Sequence, residues 1–287
     1  MQYGLSIAFS APSEYSALAR AAEDAGFSWV TLADHLLYPQ QLSVPYPYTP
    51  DGKPRFADSD AFPEPWTAIT AMAQHTRHIR FYTNIYVLPA RNAFHVAKAL
   101  STTAVFTEGR IALGVGMGWM PEEFAASGQP FGRRGRHADE MLAVMKKLWT
   151  GEWAEHHGEF YDFAPVRMLP APPQPIPVFI GGISEPAMKR AVRHDGWISD
   201  LHTMAELKEL LDRMWSLRAE HGAGRDGFQV LCFNPLDAVT PESHARLESW
   251  GVTTITTMPW AREALQGPVS LARKLQSIQE FSAIFIR

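Results

Sequence analysis

The chain has 287 residues, 46% hydrophobic and 20% charged, with 26 Lys+Arg against 30 Asp+Glu for a net charge of −4. That is room for one large α/β unit, and an acidic chain whose only clustered basics are Arg133, Arg134 and Arg136 lacks the basic stripe of a nucleic-acid binder. No run approaches the ~18 apolar residues of a membrane span, and the single cysteine, Cys232, forms no internal disulfide, so a cytoplasmic protein that binds neither nucleic acid nor membrane is expected.

Strand and helix signals alternate along the chain. Residues 4–9 form a short apolar run. Pro12 then opens a helix whose face carries Tyr15, Leu18, Ala19 and Ala22, and Gly26 closes it. Residues 27–33 read as the second strand and end in Asp34-His35. A helix over 64–74 precedes a β-branched and aromatic strand over 79–87, and a helix over 93–106 leads into a fourth strand at 111–115. Helices follow at 121–126 and 136–149. The later strands are 178–180, 196–199, 228–233 and 252–257, with helices at 205–220, 241–249 and 269–281.

Eight βα units predict an α/β fold of the closed (β/α)8 TIM-barrel type, one domain over 1–287. An open doubly wound sheet would place nucleotide-binding glycines after the first strand, where Phe9-Ser10-Ala11-Pro12 stands instead. Two long irregular segments interrupt the pattern. Residues 36–63, after the second strand, combine six prolines with Tyr38, Tyr46 and Tyr48 and read as a lid; residues 150–177, before the fifth, read as an insertion loop.

The fourth strand runs through Gly114 and Gly116 into Met117-Gly118-Trp119. Glycines at a strand end let the backbone lie close against a flat ligand. The dinucleotide fingerprint G-x-G-x-x-G does not fit, because Trp119 occupies its third glycine position. In a barrel every strand end faces the same side, which gathers Asp34-His35, Asn84-Ile85-Tyr86, Gly116 through Trp119, Gly181-Gly182, Asp200 and Trp260.

At this point the chain resembles the luciferase-like monooxygenase superfamily, and within it the short branch that uses the deazaflavin coenzyme F420. The resemblance is carried, in order, by Ala33-Asp34-His35, by Thr83 through Arg91 and by Gly109 through Trp119. It continues with Glu122-Glu123-Phe124, Gly158-Glu159-Phe160-Tyr161, Pro177 through Gly182 and Asp195-Gly196-Trp197. The sequence departs from the family in Thr103 through Arg110, which lacks the usual aspartate and serine, and beyond residue 200 nothing is diagnostic.

The resemblance implies a histidine at position 35 beside the reactive ring carbon. A histidine changes protonation near neutral pH, so it suits a proton carrier; the other reading is a structural histidine hydrogen-bonded to Asp34. Asp34 is read as its orienting group or as a ring contact. The resemblance places a bulge with a non-proline cis peptide at Thr83-Asn84-Ile85, supporting the coenzyme ring, and adds Gly116, Met117, Gly118 and Trp119 to the coenzyme site. Gly181-Gly182, before a Ser184 able to cap the next helix, offer backbone N–H groups to a phosphate. Tyr86 and Trp260 are assigned to the substrate pocket.

Arg133, Arg134 and Arg136 read as an acid-paired helix start. His156 and His157 are adjacent, their rings diverge, and no third ligand has matching spacing, so no metal is expected. The expected function is an F420-dependent oxidoreductase acting on a small organic substrate, with a homodimer as the expected assembly. The alternatives are a reduced-FMN monooxygenase of the same superfamily and a non-catalytic flavin-binding barrel. A monooxygenase must shield an oxygenated flavin, whereas a 5-deazaflavin transfers hydride only; the compact length favours the deazaflavin. A barrel hydrolase lacks support from any carboxylate pair or Ser-His arrangement.

Overall fold

The computed structural model describes residues 1–286. Its strands are Gln2–Ser6 (β1), Trp29–Leu32 (β2), Arg80–Thr83 with the short continuation Tyr86–Val87 (β3, β4), Ile111–Gly116 (β5), Ala154–His157 and Asp162–Val166 (β6, β7), Val178–Gly181 (β8), Gly196–Ile198 (β9), Gln229–Phe233 (β10) and Thr254–Thr257 (β11). β1, β2, β3, β5, β8, β9, β10 and β11 each pair in parallel with the next, β3 directly with β5, and β11 pairs back with β1. The expected eight-stranded barrel therefore closes.

The helices are Tyr15–Asp24 (α1), Pro65–Ala73 (α2), Ala93–Phe106 (α3), Pro121–Ser127 (α4), Arg134–Leu148 (α5), Glu185–Ala191 (α6), Met204–Glu220 (α7), Pro241–Ser249 (α8), Ala261–Ala264 (α9) and Leu271–Phe285 (α10). Side chains cap the starts of α2, α3, α7, α8 and α10. Asn92 accepts from the Phe94 N–H at 3.0 Å to begin α3, and Thr203 and Glu206 form a reciprocal capping box at α7.

Alternate strand residues fill the barrel interior. Trp29, Tyr82, Ala112, Phe179, Ile198 and Leu231 form one buried cluster, with Trp29 edge-on to Tyr82 at 5.6 Å between ring centres. Gly114 leaves room beside them. A Cβ there would stand 1.9 Å from the Thr83 carbonyl oxygen. The two residues are joined twice more, because Thr83 Oγ1 donates to the Gly114 carbonyl at 2.8 Å and accepts from its N–H at 3.1 Å.

Two elements differ from the sequence expectation. The predicted strand over 79–87 is interrupted at a cis Asn84–Ile85 peptide bond, which separates β3 from β4. The segment 150–177 is not uniformly irregular, since β6 and β7 pair there as an antiparallel hairpin. Neither strand of that hairpin has a buried residue, so no apolar run marks them. Residues 36–63 contain no helix or strand and pack across the C-terminal end of the barrel through their aromatic side chains.

The close approach at Gly114 yields a prediction. Gly114→Ala forces the Thr83 carbonyl aside in a fully buried layer, and we expect a loss of about 2 kcal/mol or more in stability. The urea unfolding midpoint checks it; an unchanged midpoint would mean β3 and β5 can separate freely.

Candidate active site

All eight barrel strands deliver residues to one cavity of about 1640 Å³ at their C-terminal ends. Ser6 comes from β1, Asp34 and His35 follow β2, Asn84 and Ile85 follow β3, and Gly118 follows β5. Gly181, Ser199, Asn234 and Thr257 belong to or follow β8, β9, β10 and β11. This is the end at which barrel loops build ligand sites.

His35 stands in the cavity wall with its side chain 11% exposed. Its Nδ1 lies 3.1 Å from Oε1 of Glu123, a carboxylate with no exposure that also accepts the Leu36 N–H at 2.7 Å. Phe56 and Phe62 flank the imidazole with ring centres at 4.6 and 5.2 Å, and Trp119 stands edge-on at 6.2 Å. With Nδ1 held by an acceptor, Nε2 is left as the ring's working nitrogen.

The expected pairing of Asp34 with His35 does not form. Asp34 turns instead to Arg91, whose Nη2 donates to its Oδ1 at 2.7 Å, while the Val87 N–H donates to Oδ2 at 2.9 Å. Burial pushes the Asp34 carboxyl above the ordinary carboxylate range, against the pull of the Arg91 guanidinium. The pair ties the end of β2 to the end of β4.

Ile85 lies across the barrel mouth, packed on the interior cluster below it. A Cβ at Gly116 would stand 2.2 Å from Ile85 Cδ1, and a Cβ at Gly181 would stand 2.8 Å from Ile85 Cγ2. These two glycines therefore make room for the isoleucine rather than for a ligand. Beside it, Asn84 Nδ2 is buried without a hydrogen-bond partner among the described residues. An apolar platform next to a free amide donor in a large cavity fits a flat heteroaromatic ring with polar edges.

The other sequence candidates divide. Gly118, at φ +74°, Trp119, Gly182 and Trp260 line the cavity with Ile85. Thr83 is fully buried in its bonds to Gly114, Gly116 backs Ile85, and Met117 packs toward the main core. Tyr86 points away from the cavity, 5.4 Å from Trp66 and under the Arg91 guanidinium at 4.2 Å. Ser184 precedes α6 but its side chain caps nothing, and the Gly182 N–H donates to the Ile198 carbonyl at 3.3 Å. Arg133 and Arg136 both pair with Glu159, while Arg134 donates to the Gly118 carbonyl at 3.0 Å. His156 pairs with Glu140 at 3.3 Å and His157 with Asp162 at 2.6 Å.

A family model described as luciferase-like monooxygenase matches residues 3–266. The chain belongs to this family. An uncharacterised protein of Mycobacterium tuberculosis is 39% identical over 241 residues, 84% of this chain and 83% of the relative. An F420-dependent hydroxymycolic acid dehydrogenase of the same species is 29% identical over 214 residues, 72% of this chain and 54% of that protein. An FMNH2-dependent dimethylsulfone monooxygenase of Pseudomonas putida is 35% identical over 132 residues, 44% of this chain and 36% of that protein. Among solved structures, a monooxygenase of Streptomyces bottropensis superposes with a TM-score of 0.77 at 18% identity, covering 100% of this chain and 99% of the other. At such identity the likeness is one of fold.

Two features of this family member escaped the sequence reading. Glu123 sits in the quoted Glu122-Glu123-Phe124 motif without an assigned role, and its contact with His35 is long-range. Arg55, in the segment 36–63, reaches Asp200 at 2.7 Å and the Tyr48 carbonyl at 2.6 Å. Nothing in the local sequence announces that long-range pair.

The Asp34–Arg91 pair yields a pH prediction. Arg91→Leu leaves a buried carboxylate uncompensated, which costs about 3–5 kcal/mol. Without the guanidinium the folded-state pKa of Asp34 rises further above its unfolded value. The variant is then most stable when Asp34 is protonated and loses stability as pH rises. Chemical denaturation at pH 5 and pH 8 should show a larger deficit against the parent at pH 8; a deficit independent of pH would remove Asp34 from the explanation.

Proposed function

We propose that the protein is an F420-dependent oxidoreductase that moves a hydride between the deazaflavin coenzyme and a small organic substrate, with His35 as proton carrier. The observation that carries the reading is the His35–Glu123 pair on the wall of a cavity whose floor is Ile85. The ordered motifs and the likeness to an F420-dependent dehydrogenase over 72% of the chain support the choice of coenzyme.

Ile85 and Asn84 would hold the ring, with Gly118 and Gly182 along its edges. When bound, the coenzyme supplies a two-electron hydride acceptor or donor. Glu123 accepts from His35 Nδ1, fixes the ring's orientation and balances the charge it gains on protonation. Nε2 removes the hydroxyl proton when an alcohol is oxidised and returns a proton to oxygen when a carbonyl is reduced. Phe56, Phe62 and Trp119 keep bulk water from the imidazole.

Titration of the purified protein, read by fluorescence quenching, should give F420 binding at micromolar concentration or tighter, with FMN at least tenfold weaker. The reverse order would assign the site to reduced FMN and monooxygenase chemistry, as in the dimethylsulfone monooxygenase relative.

Site variants separate binding from chemistry. His35→Ala should lower turnover by ~10²-fold with little change in coenzyme affinity. Glu123→Gln, which keeps an acceptor but not the charge, should lower it by roughly tenfold. Steady-state rates on any active surrogate alcohol or carbonyl provide the check; near-normal turnover in His35→Ala would make that histidine structural.

A further inference from the structure

Residues 36–63 are held to the barrel unevenly. The stretch 36–43 is tied twice to the start of α4, where Glu123 accepts the Leu36 N–H and Glu122 the Ser43 N–H, both at 2.7 Å. The far end runs into α2, where Glu64 caps the helix by accepting the Thr67 N–H at 2.7 Å. Between these anchors, residues 44–62 bond to themselves. The Tyr46 N–H donates to the Gly52 carbonyl at 2.8 Å, Thr49 Oγ1 to the Lys53 carbonyl at 2.7 Å, and the Ala57 N–H to Asp60 at 2.7 Å. Arg55 Nη2 joins the same set by donating to the Tyr48 carbonyl at 2.6 Å.

One bond leaves this stretch for the barrel. Among the described residues, the only hydrogen bond or ion pair from 44–62 to the rest of the chain runs from Arg55 Nη1 to Asp200 Oδ1, at 2.7 Å. Asp200 follows β9, whereas the segment itself follows β2. These strands face each other across the barrel, with β1, β11 and β10 between them on one side and β3, β5 and β8 on the other. The stretch therefore crosses the whole mouth. It also rests on aromatic contacts, Tyr46 against Trp119 at 5.1 Å and Phe56 against His35 at 4.6 Å. The Arg55 and Asp200 side chains are 29% and 21% exposed, so water and salt reach the pair.

We propose that residues 44–62 form a flap that moves as one body, hinged at its α4 and α2 ends and bolted to the far wall by Arg55–Asp200. Breaking the bolt lifts Phe56 from the imidazole and opens His35 to solvent. A partly exposed ion pair is a weak bolt, so the flap opens locally while the barrel stays folded. Access to His35 is set this way whichever coenzyme the cavity takes.

Two readouts report the opening without substrate or coenzyme. Chymotrypsin cuts after aromatic residues and leucine except before proline, which leaves Tyr48 and Phe56 as sites in the flap and Leu42 as a site in the α4-tethered base. Cleavage then tracks the open population. Diethyl pyrocarbonate acylates neutral imidazoles, and its attack on His35 is read by peptide mass spectrometry against His157, whose side chain is 68% exposed. Asp200→Asn keeps the side-chain shape and leaves the Arg55–Tyr48 bond in place. It should raise cleavage after Tyr48 and Phe56, and acylation of His35, by roughly fivefold, the equivalent of ~1 kcal/mol. Leu42 and His157 should not change. Arg55→Gln should act the same way, and the double variant Arg55→Asp with Asp200→Arg should return the rates toward the parent's. Added salt should move the parent in the direction of the single variants.

Unchanged rates in Asp200→Asn, or a charge-reversed variant no nearer the parent than the single ones, would overturn the proposal. Cleavage at Leu42 rising in step with Phe56 would mean that all of 36–63 peels away together, and would overturn the hinge. The salt series needs no variant, so it decides the matter even if a substitution prevents folding; rates independent of salt would remove the ion pair as the bolt.

Discussion

A branched side chain can lie across the mouth of a barrel only where the neighbouring strands have nothing beneath it. Ile85 meets this condition because β5 and β8 present Gly116 and Gly181, where Cβ atoms would stand 2.2 and 2.8 Å from its side chain. Below Ile85 is the close-packed interior of Trp29, Tyr82 and Phe179; above it is the cavity. The isoleucine is thus the partition between core and site. Its position is fixed by packing from below, which no ligand has to provide. Any substitution that lifts it consumes the space above and disturbs the cluster beneath at once.

Around that partition, electrostatics divides the labour between two adjacent residues of one strand end. Asp34 is spent on structure. Its carboxylate takes the Val87 N–H and the Arg91 guanidinium, and so locks the segment that carries Asn84 and Ile85. His35 takes its partner from α4. Both residues line the cavity, but the Asp34 carboxylate is taken up by Val87 and Arg91, which leaves Glu123 to orient the imidazole. Glu123 Oε2 has no hydrogen-bond partner among the described residues, so the carboxylate depends on His35 and Leu36 to offset its burial.

Much of the architecture was legible in the sequence because buried parallel strands announce themselves as apolar runs bounded by turn residues. All eight barrel strands were anticipated, within a few residues at their ends. The hairpin at 154–166 was not, because both its strands are largely solvated and carry no such run. Of the residues singled out from the sequence, those the structure brings to the cavity wall follow strand ends: His35, Asn84, Ile85, Gly118 and Gly182. Two of the glycines, Gly116 and Gly181, have a packing role beside Ile85 that the sequence did not show. A glycine's freedom is visible in the letters, but whether the vacant space belongs to a ligand or to Ile85 depends on a strand far away in sequence. Tyr86 was assigned to the pocket by adjacency, yet the turn at the interrupted strand sends its ring toward Trp66. The pairs Glu123–His35, Arg91–Asp34 and Arg55–Asp200 span 88, 57 and 145 positions, beyond the reach of any local pattern.

The segment 36–63 shows how a chain without helix or strand can still hold a defined position. Pro39, Pro45, Pro47, Pro50, Pro54 and Pro63 each fix a backbone angle, which lowers the entropy that ordering must overcome. Tyr46 then stacks edge-on to Trp119 at 5.1 Å, and Phe56 and Phe62 meet edge-on at 5.2 Å while both touching the His35 ring. Arg55 adds one ionic tie across the mouth to Asp200. Because the same aromatic rings that anchor the segment also surround His35, access to Nε2 and the placement of the segment are a single equilibrium. A substitution at Phe56 or Phe62 therefore alters both the anchoring of the segment and the surroundings of the imidazole.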